Sequence, residues 1–228
     1  MSLTRRKVKA LTRDRESYRD DRIFWVGTDD RYAPKQYLDF LRVPRVRIFA
    51  LGAGDESQAA ERVVARLRSE AEAQEQDEKW ALLDADHYLE GTHLTSFSSA
   101  LKQARDAGIQ VAISKPCFEF WLLLHWVGTD VAAGITDAGE AEALLRRELG
   151  GYNKRKLKAE HYPMERVLAA TRKARELDGT VAGGTIPQAN TTRVYQLIEA
   201  IARSAHVKGM TAEWKALREE LMLRTKEE

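Results

Sequence analysis

Short apolar runs alternate with helical spacing through the first half of the chain, which restricts it to a layered α/β fold with a parallel sheet. Ile23 to Val26, Val46 to Leu51, Trp80 to Leu83 and Ile109 to Ile113 read as the strands. Pro34 sits in the first turn of a short helix reaching Leu41, where its fixed φ is tolerated. After the turn Gly52-Ala53-Gly54-Asp55, Ser57 is positioned to cap a helix that carries Ala60, Val63, Val64 and Leu67 at helical spacing. Phe97, Leu101 and Ala104 mark a third helix, which stops near Gly108. The segment from Cys117 to His125 is too long and too leucine-rich for one more strand and reads as a buried helix.

After Val127 the strand signal ends. Ala141 to Leu149, Met164 to Leu177, Thr191 to Arg203 and Thr211 to Thr225 read as helices, separated by loops at Gly150-Gly151 and around Gly183-Gly184. The expected organisation is therefore a basic tail over 1–21, a parallel α/β domain over 22–127 and a helical extension over 128–228.

The single cysteine, Cys117, excludes an internal disulfide framework and a cysteine-rich zinc module. No apolar run approaches the roughly 20 residues that cross a bilayer, and no apolar leader follows the charged N-terminus. A soluble, cytoplasmic protein without a membrane partner is expected. The formal net charge of +2 hides two basic clusters. One runs from Arg5 to Arg22 and the other is Lys154, Arg155, Lys156 and Lys158, each suited either to phosphates or to a solvated surface.

Ligands of an open parallel sheet collect at the carboxyl ends of its strands. Three acidic groups fall there: Asp29 and Asp30 after the first strand, Asp84 and Asp86 after the third, and Glu119 past the fourth. Residues i and i+2 of an extended segment share a side, so Asp84 and Asp86 can present two carboxylates to one hard cation, Mg²⁺ or Mn²⁺. The competing reading of an Asp-X-Asp is a helix cap or an Asx turn. His87 and His93 are close enough in sequence to ligate, move a proton or bind phosphate. Cys117, at a helix start, has a position where the dipole lowers a thiol pKa. His125 is eight residues on, roughly 12 Å of helix rise, so it cannot bond that thiol within the helix and reads as a buried, hydrogen-bonded side chain.

Four segments resemble the RloB-like family of prokaryotic defence-associated proteins: Ile23 to Asp30 (IFWVGTDD), Tyr32 to Leu38 (YAPKQYL), Leu83 to His87 (LDADH) and, most specifically, Ser114 to His125 (SKPCFEFWLLLH). Tyr152-Asn153-Lys154, Pro187 and Asn190-Thr191-Thr192 extend the likeness to roughly residue 200. That family is in turn similar to the Toprim metal fold of topoisomerases, primases and related nucleases, which has a Glu after its first strand and Asp-X-Asp after its third. Asp84 and Asp86 match the second motif. The first departs, since Gly27-Thr28-Asp29-Asp30 stands where the fold has Glu followed by Gly, and either aspartate is one methylene shorter.

The resemblance implies a Toprim/Rossmann-like parallel sheet flanked by helices, and a metal-dependent phosphodiester hydrolase of anti-phage defence. RNA is the expected substrate, and an AAA/ABC-type ATPase encoded nearby is the expected partner, with a homo-oligomer left open. Mg²⁺ or Mn²⁺ would rest on Asp84, Asp86 and Asp29 or Asp30. His87 or His93 would move protons, Glu119 would complete the catalytic group, and Lys115 would stabilise charge developing on phosphate. Lys154, Arg155, Lys156 and Lys158 would hold the nucleic acid. The departure in the first motif keeps a second class open, a non-catalytic subunit that docks on the ATPase. A phosphotransfer enzyme on a small substrate fits the Asp84/Asp86 spacing but lacks the Thr and Lys that such enzymes use.

Overall fold

A computed structural model describes residues 21–51, 60–86, 88, 93–180 and 184–224. The basic N-terminal cluster up to Arg19, the turn at 52–55, Ser57, His87, Gly91 and Gly183 lie outside the described residues.

Five strands form one sheet in the order β2-β1-β3-β4-β5. β1 (Arg22–Thr28), β2 (Val46–Leu51), β3 (Glu78–Asp84) and β4 (Gln110–Lys115) run parallel. α1 (Ala33–Phe40), α2 (Ala60–Arg68), α3 (His93–Asp106) and α4 (Phe118–Leu123) come between and after them. The chain continues through α5 (Thr129–Ala133), α6 (Ala138–Glu148), α7 (Met164–Gly179), α8 (Val194–Ser204) and α9 (Ala212–Arg224).

Both faces of the sheet are covered, which is why its central strands read as unbroken apolar runs rather than as alternation. Ile23, Trp25, Ala81, Leu83 and Ile113 point to a core closed by α2 and α3 through Val64, Leu67, Phe97 and Ala104. Their neighbours Phe24, Val26, Trp80, Leu82 and Ala112 point the other way, to the larger core. Gly27 marks the closest approach of a helix to the sheet: a Cβ there would stand 2.8 Å from Val63 Cγ1 and 3.1 Å from Leu67 Cδ1. At the strand start, Asp77 accepts from the Ile23 N–H (3.1 Å) and the Trp25 indole (3.2 Å), which ties the exposed 70–77 segment to β1.

One expectation is corrected. The strand signal does not end at Val127, because Thr191–Thr192 forms β5, antiparallel to β4, where a helix start was expected. The later helices pack onto the sheet. Leu145, Val167, Ala174, Leu197, Ile201, Trp214 and Leu217 share one apolar cluster with Phe24, Leu82 and α4. The reason is the Phe118–Leu123 helix, in which every side chain is buried, so it needs cover on all sides and obtains it from the second half of the chain. Among the described residues no helix is long and apolar enough to cross a membrane.

Candidate acidic crevice at the strand ends

The chain leaves β1 toward β2 on one side and returns past it to β3 on the other, so β1 and β3 are the adjacent strands where the order reverses. Such a switch point opens a crevice at the carboxyl ends of the strands. Here the crevice has a volume of about 420 Å³, and its walls include Asp29, Asp30, Asp84, Asp86, Cys117 and Glu119.

Local hydrogen bonds assign different tasks to the two aspartates after β1. Asp29 is 5% exposed and turns inward, where its Oδ2 accepts the Asp84 N–H at 3.0 Å and Tyr88 Oη stands 3.5 Å away. Asp30 turns along the chain and its Oδ1 accepts the N–H groups of Tyr32 and Ala33, fastening the start of α1. The turn after β3 is fixed by bonds from the Ala85 N–H to Ser114 O (2.8 Å) and from the Asp86 N–H to Pro116 O (3.2 Å). Asp84 and Asp86 both line the crevice as a result.

Burial without a counter-charge governs the electrostatics. It pushes the Asp29 carboxyl up to about 7, against the lowering effect of the Asp84 N–H bond. Asp84 is driven well above the usual carboxylate range by burial, and then by the charges of Asp29, Glu119 and Asp86. Glu119 is raised by burial as well, opposed by the Tyr152 hydroxyl, which donates to its Oε1 at 2.9 Å.

Basic groups stand at the rim. Lys154 Nζ is 3.9 Å from Asp30 Oδ2, and the Arg155 guanidinium lies 5.1 Å from the Tyr32 ring centroid. Gln36 of α1 brings them there: its side-chain amide donates to Lys154 O at 2.8 Å and its Oε1 accepts the Leu157 N–H at 3.0 Å. The basic cluster therefore divides, with Lys154 and Arg155 on the acidic crevice and Lys156 and Lys158 on a neighbouring cavity.

Other expected residues are not in the crevice. Lys115 points away, its ammonium held by the carbonyls of Gln188 (2.7 Å) and Pro187 (3.5 Å), so it fastens the approach to β5. His93 is the exposed first residue of α3 and does not line the crevice, and His87 lies outside the described residues. The thiol expectation is reversed. Burial, then the charges of Asp84 and Glu119, push the Cys117 thiol up, which disfavours a thiolate. His125 is 3.0 Å from both Trp121 O and Tyr37 Oη. A carbonyl only accepts, so Nδ1 carries the proton and Nε2 accepts from the Tyr37 hydroxyl. Burial holds this imidazole neutral by pushing its pKa down to about 3.

A larger cavity, about 730 Å³, opens at the opposite ends of the strands, around Glu78, Lys79 and Gln110. Its charges are already matched, with Arg22 3.3 Å from Glu78 and Arg203 3.5 Å from Glu199, and it is at the wrong end of a parallel sheet for ligand binding.

A family model described as RloB-like protein matches residues 25–201. The chain belongs to the RloB-like protein family. Neither a curated protein nor a solved structure matches it significantly. The family match runs from within β1 through most of α8, so it takes in the crevice, its basic rim and the strand that completes the sheet.

The crevice suits a hard cation in donor chemistry, since its donors are carboxylates whose mutual repulsion a divalent ion would relieve. Among the described residues no three His, Cys, Asp or Glu side chains are arranged to hold a metal ion. Mg²⁺ usually takes one or two protein carboxylates and completes its shell with water and substrate phosphate. Sequence reasoning missed Glu142 of α6, which lines the crevice, and Tyr152 and Tyr88, whose hydroxyls meet its carboxylates. Tyr152 carried one signal, its place beside Asn153 and Lys154 in the family-like tail.

Proposed function

We propose that the protein is a metal-dependent phosphodiester hydrolase with a Toprim-like site, acting on nucleic acid and on RNA in particular. The observation that carries this reading is the pair Asp29 and Asp84, buried at the β1/β3 switch point and raised together, with basic groups only at the rim. Asp84 and Asp29 would hold Mg²⁺ or Mn²⁺, with Asp86 beside them. A bound divalent ion supplies Lewis acidity toward phosphate and a water of lowered pKa. Lys154 and Arg155 draw the phosphate to the rim, and Glu119, oriented by Tyr152, is the carboxyl suited to accept a proton. The defence role and the nearby ATPase rest on the family resemblance.

The test incubates the full chain with tRNA and with plasmid DNA in Mn²⁺ or EDTA. Cleavage that needs the cation and disappears in Asp84→Asn supports the hydrolase; equal cleavage by wild type and variant refutes it.

One observation favours a second reading, a non-catalytic subunit that docks on the ATPase. Both aspartates after β1 already serve the fold, Asp29 by accepting a backbone N–H and Asp30 by fastening a helix. Cells carrying Asp29→Asn, Asp84→Asn and Asp86→Asn together would then resist phage as well as wild type. A hydrolase would lose that resistance.

A further inference from the structure

Behind Tyr152 lies a second cavity, of about 380 Å³, whose walls include Gly150, Tyr152, Lys156, Lys158, His161 and Tyr162. Tyr152 belongs to both sites: it lines this cavity, and its hydroxyl bonds to Glu119 of the acidic crevice.

The charge of this cavity is opposite to its neighbour's. Among the described residues no carboxylate lines it. Glu160 is largely exposed and 3.8 Å from Lys158 Nζ, and Glu119 stands behind Tyr152. One of its wall residues also carries an unmet hydrogen-bonding group. Tyr162 is 4% exposed, and its buried hydroxyl has no partner among the described residues. Buried hydroxyls in folded proteins nearly always have one, from protein, water or ligand. Moreover the frame is already built. The chain reverses through Gly150 and Gly151 at φ 66 and 143, which only glycine adopts freely, and the Gly151 N–H closes onto Arg146 O at 2.9 Å. The other wall is pinned by the Leu157 N–H on Gln36 Oε1.

We propose that this cavity is a nucleotide subsite, which receives one phosphate-bearing nucleotide of a single-stranded nucleic acid. Lys156 and Lys158 face the phosphate, and the Tyr162 hydroxyl gains its missing bond. The rings of Tyr152, Tyr162 and His161 form the apolar wall that a base or sugar needs and a bare phosphate does not. At this volume the cavity takes a single unit rather than a duplex. The inference builds on the hydrolase reading, in which a strand crosses the rim at Lys154 and Arg155, and names where the adjoining nucleotide rests.

Titration of the full chain with a nucleoside 5′-monophosphate in EDTA, followed by calorimetry, tests it without any catalysis. Saturable binding should weaken at least tenfold in a Lys156→Gln, Lys158→Gln double variant and several-fold in Tyr162→Phe, which keeps the ring and loses only the hydroxyl. Circular dichroism establishes that each variant is folded. No binding by wild type, or equal binding by both variants, overturns the subsite. Inorganic phosphate that binds as tightly as the nucleotide overturns it too, by reducing the cavity to an anion site. Nucleotide binding in EDTA by a chain that cleaves nothing in Mn²⁺ would refute the hydrolase and spare the subsite; cation-dependent cleavage with no nucleotide binding would do the reverse.

Discussion

Asp29 and His125 are both buried titratable side chains, and burial moves their pKa values in opposite directions. A carboxyl raised from 3.8 to about 7 on folding contributes stability that is complete below pH 3.8 and lost as the pH rises through 7. An imidazole lowered from 6.5 to about 3 contributes stability present above pH 6.5 and lost as the pH falls toward 3. The two slopes overlap and oppose each other, so wild type shows little of either and single substitutions separate them. In EDTA, Asp29→Asn should gain on wild type between pH 4 and 7, by several degrees in melting temperature, because Asn can still accept the Asp84 N–H. Added Mn²⁺ should close that gap by stabilising wild type alone. A gap that neither grows with pH nor closes with cation would mean that burial does not keep the Asp29 carboxyl protonated. His125→Phe should flatten the acid limb of the stability curve. It should also cost about 1–3 kcal/mol at pH 8, since Trp121 O and the Tyr37 hydroxyl lose their partner. Chemical denaturation across pH measures both effects.

Among the elements, β2 was readable from end to end and α1 to within a residue, because strand period, Pro34 and apolar spacing agree there. β5 was not, since two residues carry no periodicity and only their pairing with Ser114 and Lys115 makes them a strand. The crevice was half legible. Asp84, Asp86 and Glu119 follow from strand ends, whereas the choice between Asp29 and Asp30 depends on which one bonds the first N–H groups at the start of α1. The arrival of Lys154 depends on Gln36, a contact between residues far apart in sequence that local pattern does not encode. Lys115 misled because a lysine at a strand end looks catalytic until its carbonyl partners are seen. Gly27 tests the packing of α2 on β1. Gly27→Ala must displace Val63 and Leu67 and should destabilise by about 1–3 kcal/mol, read from urea midpoints. A neutral substitution would show that α2 can lift from the sheet without cost.

At the scale of the whole molecule, one face of the sheet and the later helices share a single apolar cluster. Unfolding should therefore follow a single transition in which the tryptophan fluorescence of Trp80 and Trp121, near the sheet, and of Trp214, in α9, change together. Separate transitions would divide the chain. Proteolysis after 127 should likewise leave an N-terminal fragment that exposes α4 and aggregates.

β5 also sets a schedule. β4 is complete at Lys115, but the strand that covers its outer edge does not exist until Thr192 has been made, 77 residues later. At about 5–20 residues per second, translation leaves that edge open for roughly 4–15 s. The Ser114–Thr192 hydroxyl contact (2.8 Å) and the bond from the Arg193 N–H to Ile113 O (3.0 Å) then close it. For that interval the nascent chain offers an unpaired strand edge beside an uncovered apolar helix, the combination that recruits chaperones or neighbouring chains. A ribosome stalled just before Asn190 should hold a chain that cross-links to trigger-type chaperones, and one stalled far enough past residue 221 for Trp214, Leu217 and Leu221 to have emerged should not.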